Sequence, residues 1–369
     1  MQVITTWEHY ELANTFMKHY EFLTFAGLPE ISNAKELKNK KERKCRYCGG
    51  AYPNVSFHKD AHLFPELIGN KTLFCDYECD DCNWLFGTYE NNFTRLIEFE
   101  RRISKTRVKG GYPKFTSTNK EIKVQTTEFH GVDATEIGRA LAGSDNMIFD
   151  EETASWRIKF KLNGYVPNKI YKYFIKLGLS LLPENVVHDK YAHALNYISK
   201  KPNWKLKDCW VQGYQINLGT SFRPHVYIYK KKDTSLKAPT HVMAFYCLNL
   251  IFTVALPFYK DDFSFYNEII TPIPYPPFFA PDADICIIRI DEFAYNLNSE
   301  ETKKQEEKEI IFEMNKEAYE KRVAVNKNTL EEIPDAVDDK SKTMKFILVP
   351  KDTVFPIAKS DQNEDEKNN

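Results

Sequence analysis

The sequence predicts an α+β protein, with a small zinc-stapled module near the N-terminus followed by a larger α+β domain. Three observations carry this. Two Cys-x-x-Cys pairs, Cys45–Cys48 and Cys79–Cys82, stand thirty residues apart. Around residues 96–103 the apolar positions recur at helical spacing. Beyond residue 112 they alternate as in strands, broken by one apolar helical stretch.

Taken in order, residues 1–30 are aromatic-rich and read as helical. "KELKNKKERK" (35–44) holds six basic and two acidic residues, as a solvated face or an arm for phosphates. After the second cysteine pair, Leu96, Phe99 and Ile103 mark one face of a helix that Gly110–Gly111 would stop. Arg95, Arg101, Arg102 and Lys105 make its later part basic. "EIKVQTTEF" and "SWRIKFKL" alternate like strands, with Trp156, Ile158, Phe160 and Leu162 on one face. Asn163–Gly164 signals a turn. Val166–Pro167 opens a helix whose stripe is Ile170, Phe174, Leu177 and Leu181, and Pro183 stops it. Further strands are expected at 225–230, twice within 241–258, and at 283–290. "TPIPYPPFFAPDA" reads as a proline-rich loop, and "SEETKKQEEKEIIFEMNKEAYEKR" as a charged surface helix. The expected division is a helical segment with a basic arm (1–44), the cysteine module (45–110), an α+β domain (111–357) and a disordered tail (358–369).

The composition limits the function classes. The 369 residues suffice for two or three domains, and 42% hydrophobic and 14% aromatic residues suffice for a core. A net charge of −1 means that any anionic partner is met by local basic patches. Eight cysteines in a chain this long do not make a secreted disulfide scaffold. "MQVITTWEHYELANTF" lacks the basic and apolar regions of a signal peptide. The most apolar run, Val242 to Phe258, is too short to span a bilayer and reads as buried strands. A cytoplasmic protein with no membrane partner is expected.

Two thiolates three positions apart form a tight knuckle, and two knuckles complete a tetrahedron around zinc, with Zn–S near about 2.3 Å. Cys45, Cys48, Cys79 and Cys82 are therefore expected to hold a structural zinc; a redox dithiol or an iron–sulfur cluster suits this polar segment less well. Four thiolates leave no open position, so this zinc would not itself catalyse.

Between the knuckles lies "AHLFPELIGNK", and the second knuckle runs into Asn83 and "WLFGTYENNF". A Cys-x-x-Cys, a His-x-x-Pro, a second Cys-x-x-Cys followed by Asn, then Gly and acidic or amide residues: residues 45–95 resemble the HNH endonuclease family, of the ββα-metal type with a four-Cys zinc. The resemblance implies His62 as the general base that takes a proton from water. It implies Asn83 as the residue that orients the His62 ring, although Asn83 could equally cap the helix. It implies a hard divalent ion, Mg2+ or Mn2+, that stabilises the developing phosphorane charge. For the third position, Asn92 has the spacing and Glu90 the charge. The residue before the histidine is often acidic in this family and is Ala61 here; Asp60, two before His62, would share its face in a strand and could take that role.

The expected function is metal-dependent hydrolysis of DNA phosphodiester bonds, in restriction or anti-phage defence. Lys40, Lys41, Arg43, Lys44, Arg95, Arg101, Arg102 and Lys105 would lie on phosphates. The large domain would serve assembly as a homodimer, or control through a partner protein or a small-molecule ligand. The alternative is a zinc-stapled nucleic-acid-binding regulator without catalysis, which Ala61 favours.

Overall fold

A computed structural model describes residues 2–28, 37–104, 111–112, 114–129, 132–139, 146–150, 152, 155–202, 205–216, 222–265, 275, 287–313 and 345–348. Lys105, Gly110, most of the proline-rich loop and the tail 358–369 lie outside the described residues. The chain is mixed helix and sheet. It separates into two compact units that do not follow chain order. One comprises 1–111 and 164–304; the other comprises 112–163 and 305–369. The cysteine region thus shares a unit with later chain, where the sequence suggested a separate module at 45–110.

The first unit is built on an antiparallel seven-stranded sheet. Its strands are β1 (Gln2–Thr5), β2 (Tyr20–Gly27), β10 (Trp210–Ile216), β11 (Phe222–Lys231), β12 (His241–Leu248), β13 (Leu250–Ala255) and β14 (Ile287–Asn296), in the order β1-β14-β10-β13-β12-β11-β2. The expected helix over residues 1–30 is therefore corrected: only α1 (Thr6–His19) is helical, and the segments flanking it are the two edge strands. Fourteen residues at about 1.5 Å each make a helix of roughly 21 Å, long enough to carry the chain most of the way across the sheet. From α1, Phe16 packs into a cluster with Tyr20, Tyr214, Tyr229, Tyr246 and Tyr275. Strand β12 is buried at every position, so the apolar run beginning at Val242 is continuous rather than alternating.

Helix α4 (Pro167–Leu181) has Pro167 in its first turn, as the sequence indicated. A single apolar stripe was expected, yet Tyr171, Lys172, Tyr173, Ile175 and Lys176 are buried as well. Phe174 faces Phe252 of the sheet at a ring distance of 5.2 Å, while Tyr173 stacks on Phe93 at 4.7 Å. Phe93 belongs to α2 (Asp80–Leu96), the helix that the second knuckle opens. Gly178 permits the close approach of α4 to Leu256, whose side chain would collide with a Cβ there. Two short helices, α5 (Glu184–Lys190) and α6 (Ala192–Tyr197), follow. A further short helix, α3 (Glu98–Ile103), ends at Ser104.

The second unit holds two antiparallel sheets. One contains β5 (Phe115–Thr116), β6 (Ile122–Phe129), β7 (Val132–Arg139) and β16 (Lys345–Leu348), in the order β16-β7-β6-β5. The other contains β8 (Met147–Asp150), β9 (Ser155–Lys161) and β15 (Glu307–Glu313), in the order β15-β9-β8. Phe115 and Phe160 meet edge to face at 5.5 Å. The surface helix expected over 299–322 is corrected here, because Glu307–Glu313 is a strand. Its Ile310 lies opposite Ile158, and Glu309 lies opposite Lys159, 3.9 Å from its ammonium. Cross-strand pairing of apolar and opposite charges overrides the helix propensity of Glu and Lys.

Candidate metal centre and histidine site

The first knuckle turns at Gly49, whose φ of +73° lies in the left-handed region. Its N–H donates to the Cys45 carbonyl at 2.9 Å. Helix α2 starts immediately after Cys79, which places Cys82 in its first turn. The Arg46 N–H donates to the Tyr77 carbonyl and ties the two knuckles together. The four thiol sulfurs lie within 4.8 Å of one another, and Cys48 and Cys79 are 3.7 Å apart. Tetrahedral bonds of about 2.3 Å require sulfurs about 3.8 Å apart, so the residues fit a structural ion such as zinc. Contacts from Cys45 and Cys82 push the Cys79 thiol well down, while the same cluster pushes Cys82 up. Cys75 is separate: it is buried, its thiol is pushed up to about 12 by that burial, and it bonds Tyr77.

Between the knuckles a two-stranded ladder pairs β3 (Ala61–His62) with β4 (Phe74–Cys75), and His62 lies opposite Phe74. The connecting loop is fixed by "IGNK". Gly69 adopts φ of +98° at the end of a single 3-10 turn, Glu66–Ile68. Asn70 is wholly buried; its Nδ2 donates to the carbonyls of Phe64 and Leu73, and its Oδ1 accepts from the N–H groups of Thr72 and Leu73. Phe64 stacks on Phe245 of the large sheet at 5.6 Å, which anchors the loop.

The His62 ring is partly buried and lies 4.6 Å from the Phe74 ring. Burial lowers its pKa; Glu66 and Asp60 oppose the shift and Lys176 adds to it. The imidazole is therefore neutral at pH 7, the form a general base requires. Asn83 sits in the first turn of α2, one turn past the N-cap Cys79, so it does not cap the helix. No hydrogen bond joins it to His62 among the described residues. Instead Asp80 steadies the approach to β3: its carboxylate accepts from the N–H groups of His58 and Lys59 at 2.9 and 3.0 Å. Burial would raise the Asp80 pKa, but hydrogen bonds from Ser56, Lys59 and His58 bring it below the usual value.

The candidate ligands for a hard ion are not brought together. The Oδ1 of Asp60 accepts from the Arg43 guanidinium at 2.8 Å. Glu90 pairs with Lys176 at 3.6 Å. Asn92 is buried, with both ends of its amide engaged: Oδ1 accepts from the Val166 N–H and Nδ2 donates to the Thr88 carbonyl, each at 2.7 Å. Asn92 thus starts α4 rather than ligating an ion, a correction to its expected role. Among the described residues, the four cysteines form the only group of three or more His, Cys, Asp or Glu side chains placed to hold a metal. The residues present do not fit a preassembled magnesium or manganese site.

The basic residues separate into two sets. Lys40, Lys41 and Lys44 are exposed, with Lys40 bonded to the His58 carbonyl. Arg95 is exposed and donates to the Gly164 carbonyl. Arg43 and Arg101 are buried, and Arg102 is nearly so and paired with Glu98 at 3.3 Å. These three are corrected from phosphate contacts to interior ones. Lys59 and Lys71, which sequence reasoning passed over, are exposed near the ladder.

The chief residue missed is Lys176. It is fully buried on α4 and pairs with Glu78 at 3.2 Å as well as with Glu90. Burial raises the pKa of both carboxylates, that of Glu90 to about 7, and Lys176 opposes this. Nothing in the local sequence around Lys176 signals these partners. Arg46 makes a second long-range link. Its guanidinium donates to the carbonyls of Leu179, Ser180 and Leu182, the open end of α4, which has no basic residue in its own last turn.

Comparison of the chain with protein-family models, with curated proteins and with solved structures finds no match.

Proposed function

We propose that the chain is a nuclease of the HNH type that hydrolyses phosphodiester bonds, with DNA as substrate and His62 as general base. The observation that carries the reading is a partly exposed histidine, its pKa lowered by burial, on the first strand of a two-stranded ladder, followed by a helix that starts at a cysteine knuckle. Such a histidine can accept a proton from a water aligned on phosphorus. The exposed Lys40, Lys41 and Lys44, with Lys59 and Lys71, would hold the phosphates without reading sequence. A divalent ion, when required, would be held chiefly by phosphate and water, because Asp60 and Glu90 are already paired with Arg43 and Lys176. Incubation of the full-length chain with supercoiled plasmid, with Mg2+, with Mn2+ and with chelator, tests the reading. Divalent-dependent nicking supports it, and its absence under every condition overturns it.

A second reading has its own support. Asp60, Glu90 and Asn92 are each engaged by the chain itself, which suits a zinc-stapled nucleic-acid-binding regulator that does not cut. The same experiment separates the two, because a regulator would retard the plasmid without nicking it. Restriction or phage defence as the setting rests on the resemblance of residues 45–95 alone.

A further inference from the structure

We propose that the indole of Trp84 is a stacking platform for an unpaired nucleobase, set beside cations that hold the neighbouring phosphates. The inference rests on the reading that the chain binds nucleic acid, and it names the form recognised: single-stranded or locally opened. Trp84 lies in the second turn of α2 and is 67% exposed, the most exposed of the large hydrophobic side chains among the described residues.

A single exposed apolar residue needs no explanation by itself; the surroundings of Trp84 supply one. Residues four apart on a helix are neighbours, and side chains lean toward the helix N-terminus, so Trp84 stands over the turn that begins at Asp80. The Asp80 carboxylate is occupied by the N–H groups of His58 and Lys59, at 2.9 and 3.0 Å. Trp84 is thereby placed beside the segment that leads into β3 and His62. The Lys40 ammonium reaches the same segment and donates to the His58 carbonyl at 2.7 Å.

Charge selects the occupant. Over residues 37–59 the exposed cations are Lys38, Lys40, Lys41, Lys44 and Lys59, and the one exposed acid is Glu42. On α2 itself Asp81 is exposed and Asp80 is engaged as described, so the surroundings stay positive. Such a surface suits a phosphate backbone. A duplex keeps its base faces stacked on one another and offers only edges, whereas an unpaired base offers an open π-face whatever its identity. The occupant is therefore a strand with at least one unpaired base, and the contact does not read its sequence.

Fluorescence anisotropy tests this on the full-length chain, with one labelled DNA oligonucleotide offered single-stranded and as a blunt duplex at the same salt concentration. Trp84→Ala should weaken single-strand binding about tenfold and change duplex binding by less than about twofold, because stacking is lost and phosphate contacts are kept. Trp84→Phe should recover part of the loss. Exposure of the side chain means that the fold should hold, which melting temperature and zinc content verify. Lys59→Ala is the contrast: it should weaken both forms and flatten the salt dependence. Unchanged single-strand binding by folded Trp84→Ala, or an equal loss for both forms, overturns the proposal; the first result leaves the indole to a protein partner. If the wild type binds duplex but no single strand, the stacking proposal alone fails. If it binds neither, the nucleic-acid reading fails and the platform with it.

Discussion

Lys176→Met removes the cation shared by two buried carboxylates. Glu78 is wholly buried and Glu90 is one-fifth exposed, and Lys176 lies 3.2 and 3.6 Å from them. Taking one partner out of a buried ion pair costs about 3–5 kcal/mol, because the remaining charge is left uncompensated. For a unit of this size about 1 kcal/mol corresponds to 2–4 °C, so the melting temperature should fall by roughly 6–20 °C near pH 8. The pH dependence gives a sharper check. Burial raises the Glu90 pKa to about 7, so its bound proton favours the folded state at low pH, and that contribution is lost as pH rises through about 7. Without Lys176 both carboxylates hold protons more tightly still. The penalty should therefore be large near about pH 8 and much smaller near about pH 5.5, where they are neutralised. Thermal unfolding followed by circular dichroism reads both values. An unchanged melting temperature at the higher pH, or an equal loss at both, would show that this triad does not hold the unit together.

Three other outcomes follow from the packing. Cys45→Ser or Cys82→Ser should give protease-sensitive protein, while the wild type retains one zinc per chain on metal analysis after dialysis; a folded chain without metal contradicts this. Gly178→Ala places a methyl against the Leu256 side chain and should cost about 1–3 kcal/mol in chemical denaturation; no change would show that Leu256 or α4 shifts freely to make room. A fragment of residues 1–110 should fail to fold, because Phe93, Arg46 and Asn92 find their partners in 164–182 and 245–252; a cooperative melt from that fragment would refute this.

The sequence made the local features readable and left the distant ones hidden. The cysteine spacing located the four-thiol cluster, and alternation located β6 and β9, since each depends on residues close in the chain. Lys176 and Arg46 could not be read in the same way: their partners lie about 90 to 130 residues away, and a lysine in a helix looks solvated until a second helix covers it. Arg43 and Arg101 looked like a basic surface for the same reason. Asn92 matched a motif by spacing, but its amide is used to start α4. Glu307–Glu313 has the charge density of a surface helix and becomes a strand because Lys159 and Ile158 stand opposite it.

His62 is the proposed base in phosphodiester cleavage. The most direct measurement compares plasmid nicking by wild type and His62→Ala, with bound zinc and melting temperature measured on the same preparations. His62 makes no hydrogen bond among the described residues, so its loss should leave zinc content and stability near the wild-type values while nicking falls by about a hundredfold or more. Nicking at the wild-type rate by a folded, zinc-loaded His62→Ala would show that His62 is not the base.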